Sequence, residues 1–165
     1  MAEPFVHLRV ASGYSLQYGA SHPSGLVTRA AELGLDTLAL TDRDGLYGAV
    51  RFAKACLASG VAPVMGVDLA VPEISRSGEG ERSRTPVRGG HLRDARHPRV
   101  VVLARSRAGW AALCRLVSAV HLAGERGTPL ATREQITAAA AGGELVVVLG
   151  ADSAVGLAAA ANRQP

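Results

Sequence analysis

The sequence predicts an α/β fold in which buried strands alternate with helices, and three observations carry that expectation. Short apolar runs at Thr37-Leu38-Ala39-Leu40, Val100-Val101-Val102-Leu103-Ala104 and Leu145-Val146-Val147-Val148-Leu149 have the length and content of strands buried on both faces. The stretches between them repeat apolar residues at helical spacing. Hydrophobic residues make up 48% of the 165-residue chain, charged residues 19% and aromatics only 4%. The core must therefore be built from small aliphatic side chains, which suits close packing of helices on strands.

Taken in order, His7 to Ser12 reads as a short strand. Ser21 is placed to cap a helix whose first turn contains Pro23, where the missing N–H costs nothing. Leu26, Val27, Ala30, Ala31 and Leu33 recur at helical spacing, and Gly34 is placed to end that helix. The Thr37 run closes on Thr41-Asp42 as a buried parallel strand. A second helix is expected over about 46–59, with Val50, Ala53, Ala55, Cys56 and Leu57 available to its inner side and Gly60 stopping it. A third strand lies within 61–71, and the Val100 run is a fourth. Ala108 to Leu122 is an apolar helix, Thr132-Arg133-Glu134-Gln135 starts another, and the Leu145 run is a fifth strand. The Ala-rich stretch from Ser153 is helical in propensity. Such alternation argues for a parallel sheet, open or closed into a barrel. Five strand signals are too few for an eight-unit barrel, so a barrel would be cut short.

Residues from about 72 to 98 show no sustained periodicity and form the one long loop expected. Most of the chain's net charge of +4 traces to the arginines at 76, 82, 84, 88, 93, 96 and 99 in or beside it. Such a run can touch phosphate backbones, but without interleaved aromatics it reads first as a solvated loop. Cys56 and Cys114 sit in apolar helical stretches and read as buried thiols rather than a disulfide or a zinc site. No window approaches the roughly 18 apolar residues of a membrane span, and the acid in Met1-Ala2-Glu3-Pro4 is unlike a secretory leader. The expectation is a soluble, cytoplasmic protein without membrane partners.

Ligands of parallel α/β folds gather at the carboxyl ends of the strands. Those ends offer Arg9 and Ala11, then Thr41, Asp42 and Arg43, then Gly66 and Asp68. Asp42 is open to two readings, a metal ligand or an acid capping the following helix. Asp68 is placed to pair with Arg9 or Arg43, because an unpaired buried carboxylate is costly. The histidines at 7, 22, 91, 97 and 121 show no metal-ligand spacing, and His121 reads as a core or boundary residue.

Several stretches resemble one family. FVHLRVASGYSLQYGA (5–20), LALTDRDGLYGAVRFAK (38–54) and VVVLARSRAGWAALCRLVSAVHL (100–122) are similar to segments of the N-terminal PHP (polymerase and histidinol phosphatase) domain of bacterial DNA polymerase III alpha subunits. That family reads F-x-H-L-H-x-H-S-x-Y-S-x-x-x-G-A in the first segment and A-L-T-D-H-x-x-L-Y-G in the second. Gly66-Val67-Asp68 falls where it has G-x-E, and Val148-Leu149-Gly150-Ala151 where it has L-S-G-C. The resemblance implies a distorted (β/α)7 barrel, of which residues 1–165 would supply the first two-thirds or so. It implies a polymerase chain continuing beyond this segment, replicative or error-prone, with DNA and accessory subunits as partners. It also implies a divalent-metal site, zinc or manganese, for phosphoesterase or exonuclease chemistry. At the family's ligand positions this chain has Arg9, Ala11, Arg43, Asp68 and Ala151, and guanidinium cannot donate a lone pair to a metal. The expectation is a degenerate, non-catalytic site with Asp42 and Asp68 as its remnants, and no confident ligand set. The alternatives are a free-standing PHP phosphoesterase, which would need intact ligands, and a nucleic-acid-binding module using the Arg-rich loop.

Overall fold

The computed structural model of the protein describes residues 5–72, 97–124 and 127–150. Four strands form one sheet in the order β1 (Thr37–Arg43), β2 (Ala62–Ala70), β3 (Arg99–Ala104), β4 (Leu145–Leu149). Four helices accompany them: α1 (Pro23–Glu32), α2 (Ala49–Ser59), α3 (Arg107–Ala123) and α4 (Arg133–Ala140).

The α/β class stands, but the strands are not all parallel. β1 and β2 run parallel, whereas β3 is antiparallel to β2 and β4 antiparallel to β3. The register pairs Ala70 with Arg99, so the chain leaves β2 and enters β3 at one end of the sheet. Between β3 and β4 the chain makes two helices rather than one. The second undoes the reversal of the first, and the chain re-enters the sheet at the end it left. Burial on both faces gives continuous apolar runs in either direction, so the sequence pattern was silent on direction.

The expected first strand is only partly built. His7 forms an isolated parallel bridge to Leu38, and Thr41 N–H donates to the Val10 carbonyl at 2.8 Å. The ladder then fails, because the Val10 N–H donates to the Thr41 hydroxyl at 2.9 Å instead of to a backbone oxygen.

Helix ends follow local chemistry. α1 is capped by His22, not Ser21: the His22 ring accepts from Ser24 N–H, while the Ser21 carbonyl accepts from Gly13 N–H at 2.8 Å. Pro23 occupies the first turn as expected. Gly34 and Gly60 follow α1 and α2 at φ 71°, the left-handed conformation that ends a helix. α2 starts at Ala49, later than the spacing suggested, and its buried residues are Ala49, Phe52 and Cys56. Val50 and Leu57, expected inside, are exposed, as is Leu33 of the first helix region. Ser106 caps α3, and Thr132 with Gln135 forms a complete capping box on α4.

The core divides in two. Val27, Ala30, Leu38, Leu40, Phe52 and Cys56 pack α1 and α2 against β1. Val67, Leu69, Val102, Leu113, Leu116 and Ile136 join α3 and α4 to β2 and β3. Alternation along the strands puts Asp68 and Arg99 on the opposite face from these apolar residues. Among the described residues no helix is long and apolar enough to cross a membrane. The loop expected at about 72–98 lies almost entirely outside the described residues, as do Ala151, His91 and the Ala-rich stretch from Ser153.

Candidate functional site

The expected site residues meet at the end of the sheet where β1 and β2 finish, but not as one cluster. Asp42 aligns with Val67, while Asp68 aligns with Arg43. The pleat therefore sends Asp42 to the face of Leu40 and Asp68 to the face of Arg43, and the two carboxylates are built into separate environments.

Asp42 is 2% exposed and closed in by the loop after the first extended segment. Its Oδ1 accepts from Ser12 N–H at 2.7 Å and from the Ser15 hydroxyl at 2.7 Å. The Ser12 hydroxyl reaches both oxygens, at 3.0 and 2.8 Å. Ser15 Oγ in turn accepts from Arg43 N–H at 2.9 Å, which fixes the loop to the end of β1. Asp42 is therefore not the cap of α2, whose N-cap is Gly48 with no side-chain bond. Among the described residues, the groups seen to reach it are neutral. The loop closes tightly: a Cβ on Gly19 would lie 2.0 Å from the Ser12 carbonyl oxygen.

Asp68 is 5% exposed and is held by two guanidinium groups. Arg9 contacts Oδ2 through Nε at 3.1 Å and Nη2 at 3.0 Å, as the sequence reading allowed. Arg99 contacts Oδ1 through Nε at 3.0 Å, and its Nη2 lies 2.9 Å from Asp44 Oδ1 and donates to the Asp68 carbonyl. Asp44 Oδ1 also accepts from Ala70 N–H at 3.0 Å. The result is an alternating chain of charges, Arg9, Asp68, Arg99, Asp44. Burial alone would lower the Arg99 pKa, but Asp44 and Asp68 outweigh it and the net shift is upward. Arg43, the other candidate partner of Asp68, lies with its guanidinium carbon 3.5 Å from the Tyr18 ring centroid. His121, read as a core or boundary residue, is exposed on α3 and donates from Nε2 to the Asp44 carbonyl.

Arg99 is the residue the sequence reading misplaced. It was grouped with the basic loop, yet it opens β3 and is 8% exposed. Reading every strand as parallel limited the search to strand ends. Antiparallel β3 brings its beginning to the same edge as the ends of β1 and β2. The usable signal was an arginine directly preceding a buried apolar run. Ser12 and Ser15 were also missed, and serine in a Gly- and Tyr-containing turn gives little to single out.

Comparison with known proteins identifies the frame. The PHP domain family model matches residues 7–164. The chain belongs to the PHP domain family. This PHP domain is 44% identical over 139 residues to an error-prone DNA polymerase of Mycobacterium bovis, covering 84% of this chain and 12% of that protein. It is 36% identical over 164 residues to an error-prone DNA polymerase of Nocardia farcinica, covering 84% and 14%. The chain thus spans about one-eighth of the length of these polymerases. A solved amidohydrolase from Chromobacterium violaceum is 24% identical, with a TM-score of 0.47, over 71% of this chain and 33% of that one. The mixed four-stranded sheet with its helices agrees with part of the distorted barrel implied by the resemblance.

The described residues do not fit the divalent ion associated with PHP domains. Among the described residues, no three of His, Cys, Asp and Glu come together as a metal-holding group. Both Asp68 oxygens face cationic donors, and both Asp42 oxygens take hydroxyl or amide donors. Arg9, Ala11 and Arg43 offer no lone pair. A separate apolar cavity of about 750 Å³ lies between α4 and β3–β4, lined by Val71, Val100, Ile136, Val147 and Leu149 among others, on the face of the sheet opposite Arg99.

Proposed function

We propose that residues 1–165 form the N-terminal PHP domain of an error-prone-type DNA polymerase chain, and that this domain contributes structure rather than chemistry. The reading rests chiefly on one observation: Asp68, the remnant acid, is clamped on both oxygens by Arg9 and Arg99. A guanidinium brings positive charge to the place where a metal ion would need electron pairs. In the parent chain the domain supports DNA synthesis, in replication or in translesion synthesis and repair. Its partners are then the rest of the polymerase chain, DNA through that chain, and polymerase accessory subunits in the cytoplasm. The similarity to error-prone polymerases favours the translesion role.

The test is elemental analysis of the purified protein together with nuclease assays on single- and double-stranded DNA in zinc and manganese. Substoichiometric metal and no cleavage above background are expected. One zinc or manganese per chain with metal-dependent cleavage would overturn the reading and favour a phosphoesterase.

A further inference from the structure

We propose that Arg99, assisted by Arg9, is a built-in cation that takes the place of a divalent ion between Asp44 and Asp68. The inference rests on the metal-free reading above and adds to it the residue that makes the site self-sufficient.

An ion bound between acidic side chains does two things: it neutralises carboxylates that burial would penalise, and it ties together the segments that carry them. Arg99 does both. It contacts Asp68 Oδ1 at 3.0 Å and Asp44 Oδ1 at 2.9 Å, with Arg99 and Asp68 side chains each 7% exposed and that of Asp44 23% exposed. Asp68 belongs to β2 and Asp44 to the turn after β1, so one side chain of β3 joins three consecutive parts of the sheet edge. Arg9 adds a fourth, the N-terminal extended segment, through Asp68 Oδ2.

Two further observations separate this arrangement from an ordinary ion pair. Arg99 meets two carboxylates and Asp68 meets two guanidinium groups, so the charges alternate along a chain instead of pairing once. Arg99 Nη1 is also buried without a hydrogen-bond partner, and an orphaned guanidinium donor is costly.

The geometry makes a specific demand. Histidine Nε2 is as many bonds from Cβ as arginine Nε, so imidazoles at positions 9 and 99 reach about as far as the present Nε atoms. Those atoms lie 3.1 and 3.0 Å from opposite oxygens of Asp68. Two imidazoles, Asp68 and Asp44 make a set of the kind that binds zinc.

The experiment compares wild type with the Arg9→His/Arg99→His variant by zinc stoichiometry and thermal unfolding, with zinc and with chelator. Wild type should bind no zinc and unfold at the same temperature in both. The double variant should bind one zinc per chain, its midpoint rising by about 5–10 °C at a hundredfold excess of zinc over Kd. A double variant that unfolds in chelator and refolds on adding zinc supports the proposal equally. A double variant indifferent to zinc, folded or unfolded, overturns the built-in cation while leaving the metal-free reading intact. Stoichiometric zinc on wild type overturns both.

A second pair keeps the question answerable if the double variant is hard to handle. Arg99→Gln should raise the unfolding equilibrium constant by about a hundredfold or more, because it removes the buried cation from Asp44 and leaves buried Asp68 with only the largely exposed Arg9. Arg99→Lys, a cation without the planar fork, should lose clearly less. Equal losses in the two variants would show that shape, not charge, is what the site requires, and would overturn the proposal.

Discussion

Asp42 and Asp68 are both almost completely buried at the same sheet edge, and the protein stabilises them by opposite means. Asp42 is enclosed by three donors from a single short loop, the Ser12 amide and the Ser12 and Ser15 hydroxyls. Asp68 is held by two arginines from segments far apart in sequence, 59 and 31 residues away. The first arrangement is local, neutral in its donors and short-ranged. The second is long-range and electrostatic, and it fastens separate elements together. A carboxylate at the end of a strand thus does not define a site by itself; what surrounds it decides whether it is available.

The contrast gives an ordered set of tests. Asp68→Asn should destabilise the protein most, by about 3 kcal/mol or more in denaturant unfolding, because it leaves the Arg99 guanidinium buried with Asp44 alone. A loss below 1 kcal/mol would show that the charge chain contributes little. Ser12→Ala removes the hydroxyl that touches both Asp42 oxygens and should cost about 1–3 kcal/mol. That loss should be the same at low and high salt, since the missing donor is uncharged. Arg9→Ala should cost less, about 1 kcal/mol or under, because the Arg9 side chain is 56% exposed and solvent screens it. Its cost should shrink further in 1 M salt, where the screening length falls to about 3 Å; an undiminished cost would show that Arg9 acts by packing.

The smallest effect is expected at a carboxylate in open water. Glu134, in the first turn of α4, has its pKa lowered by its own backbone N–H and by the Thr132 side chain. A carboxylate with a lowered folded pKa adds stability above its unfolded pKa and loses it as pH falls through the folded value. Glu134→Gln should therefore narrow the stability difference between neutral and acid pH slightly, without changing the neutral-pH fold. An unchanged pH profile would show that the interaction is too weak to register.

Much of the architecture was legible from sequence because it rests on local patterns. The strands β1 to β4, the helix start at Thr132 and the stops at Gly34 and Gly60 follow from residue types at short spacing, while Arg9 is one of the two partners, with Arg43, that the sequence allowed Asp68. Strand direction was not legible, since buried runs look alike parallel or antiparallel. That one gap hid Arg99, because the search for functional groups followed the assumed direction. Direction does not account for Asp42 and Asp68, since β1 and β2 are parallel as expected; there it is the pleat that sends the two side chains to opposite faces. The shift of the α1 cap from Ser21 to His22 has a different origin: both residues can accept from a backbone N–H, and the choice between them depends on where the preceding turn places each.

Gly19 explains why part of the family pattern stays legible in this loop. A Cβ there would fall 2.0 Å from the Ser12 oxygen and 2.3 Å from its carbonyl carbon, so any side chain would push Ser12 away from Asp42. The requirement is purely steric and holds whether or not the domain carries out a reaction. Position 19 answers to space, and space is demanded of every folded copy. The letters Tyr14, Ser15, Gly19 and Ala20 match the family pattern, and at Gly19 what holds the letter in place is space.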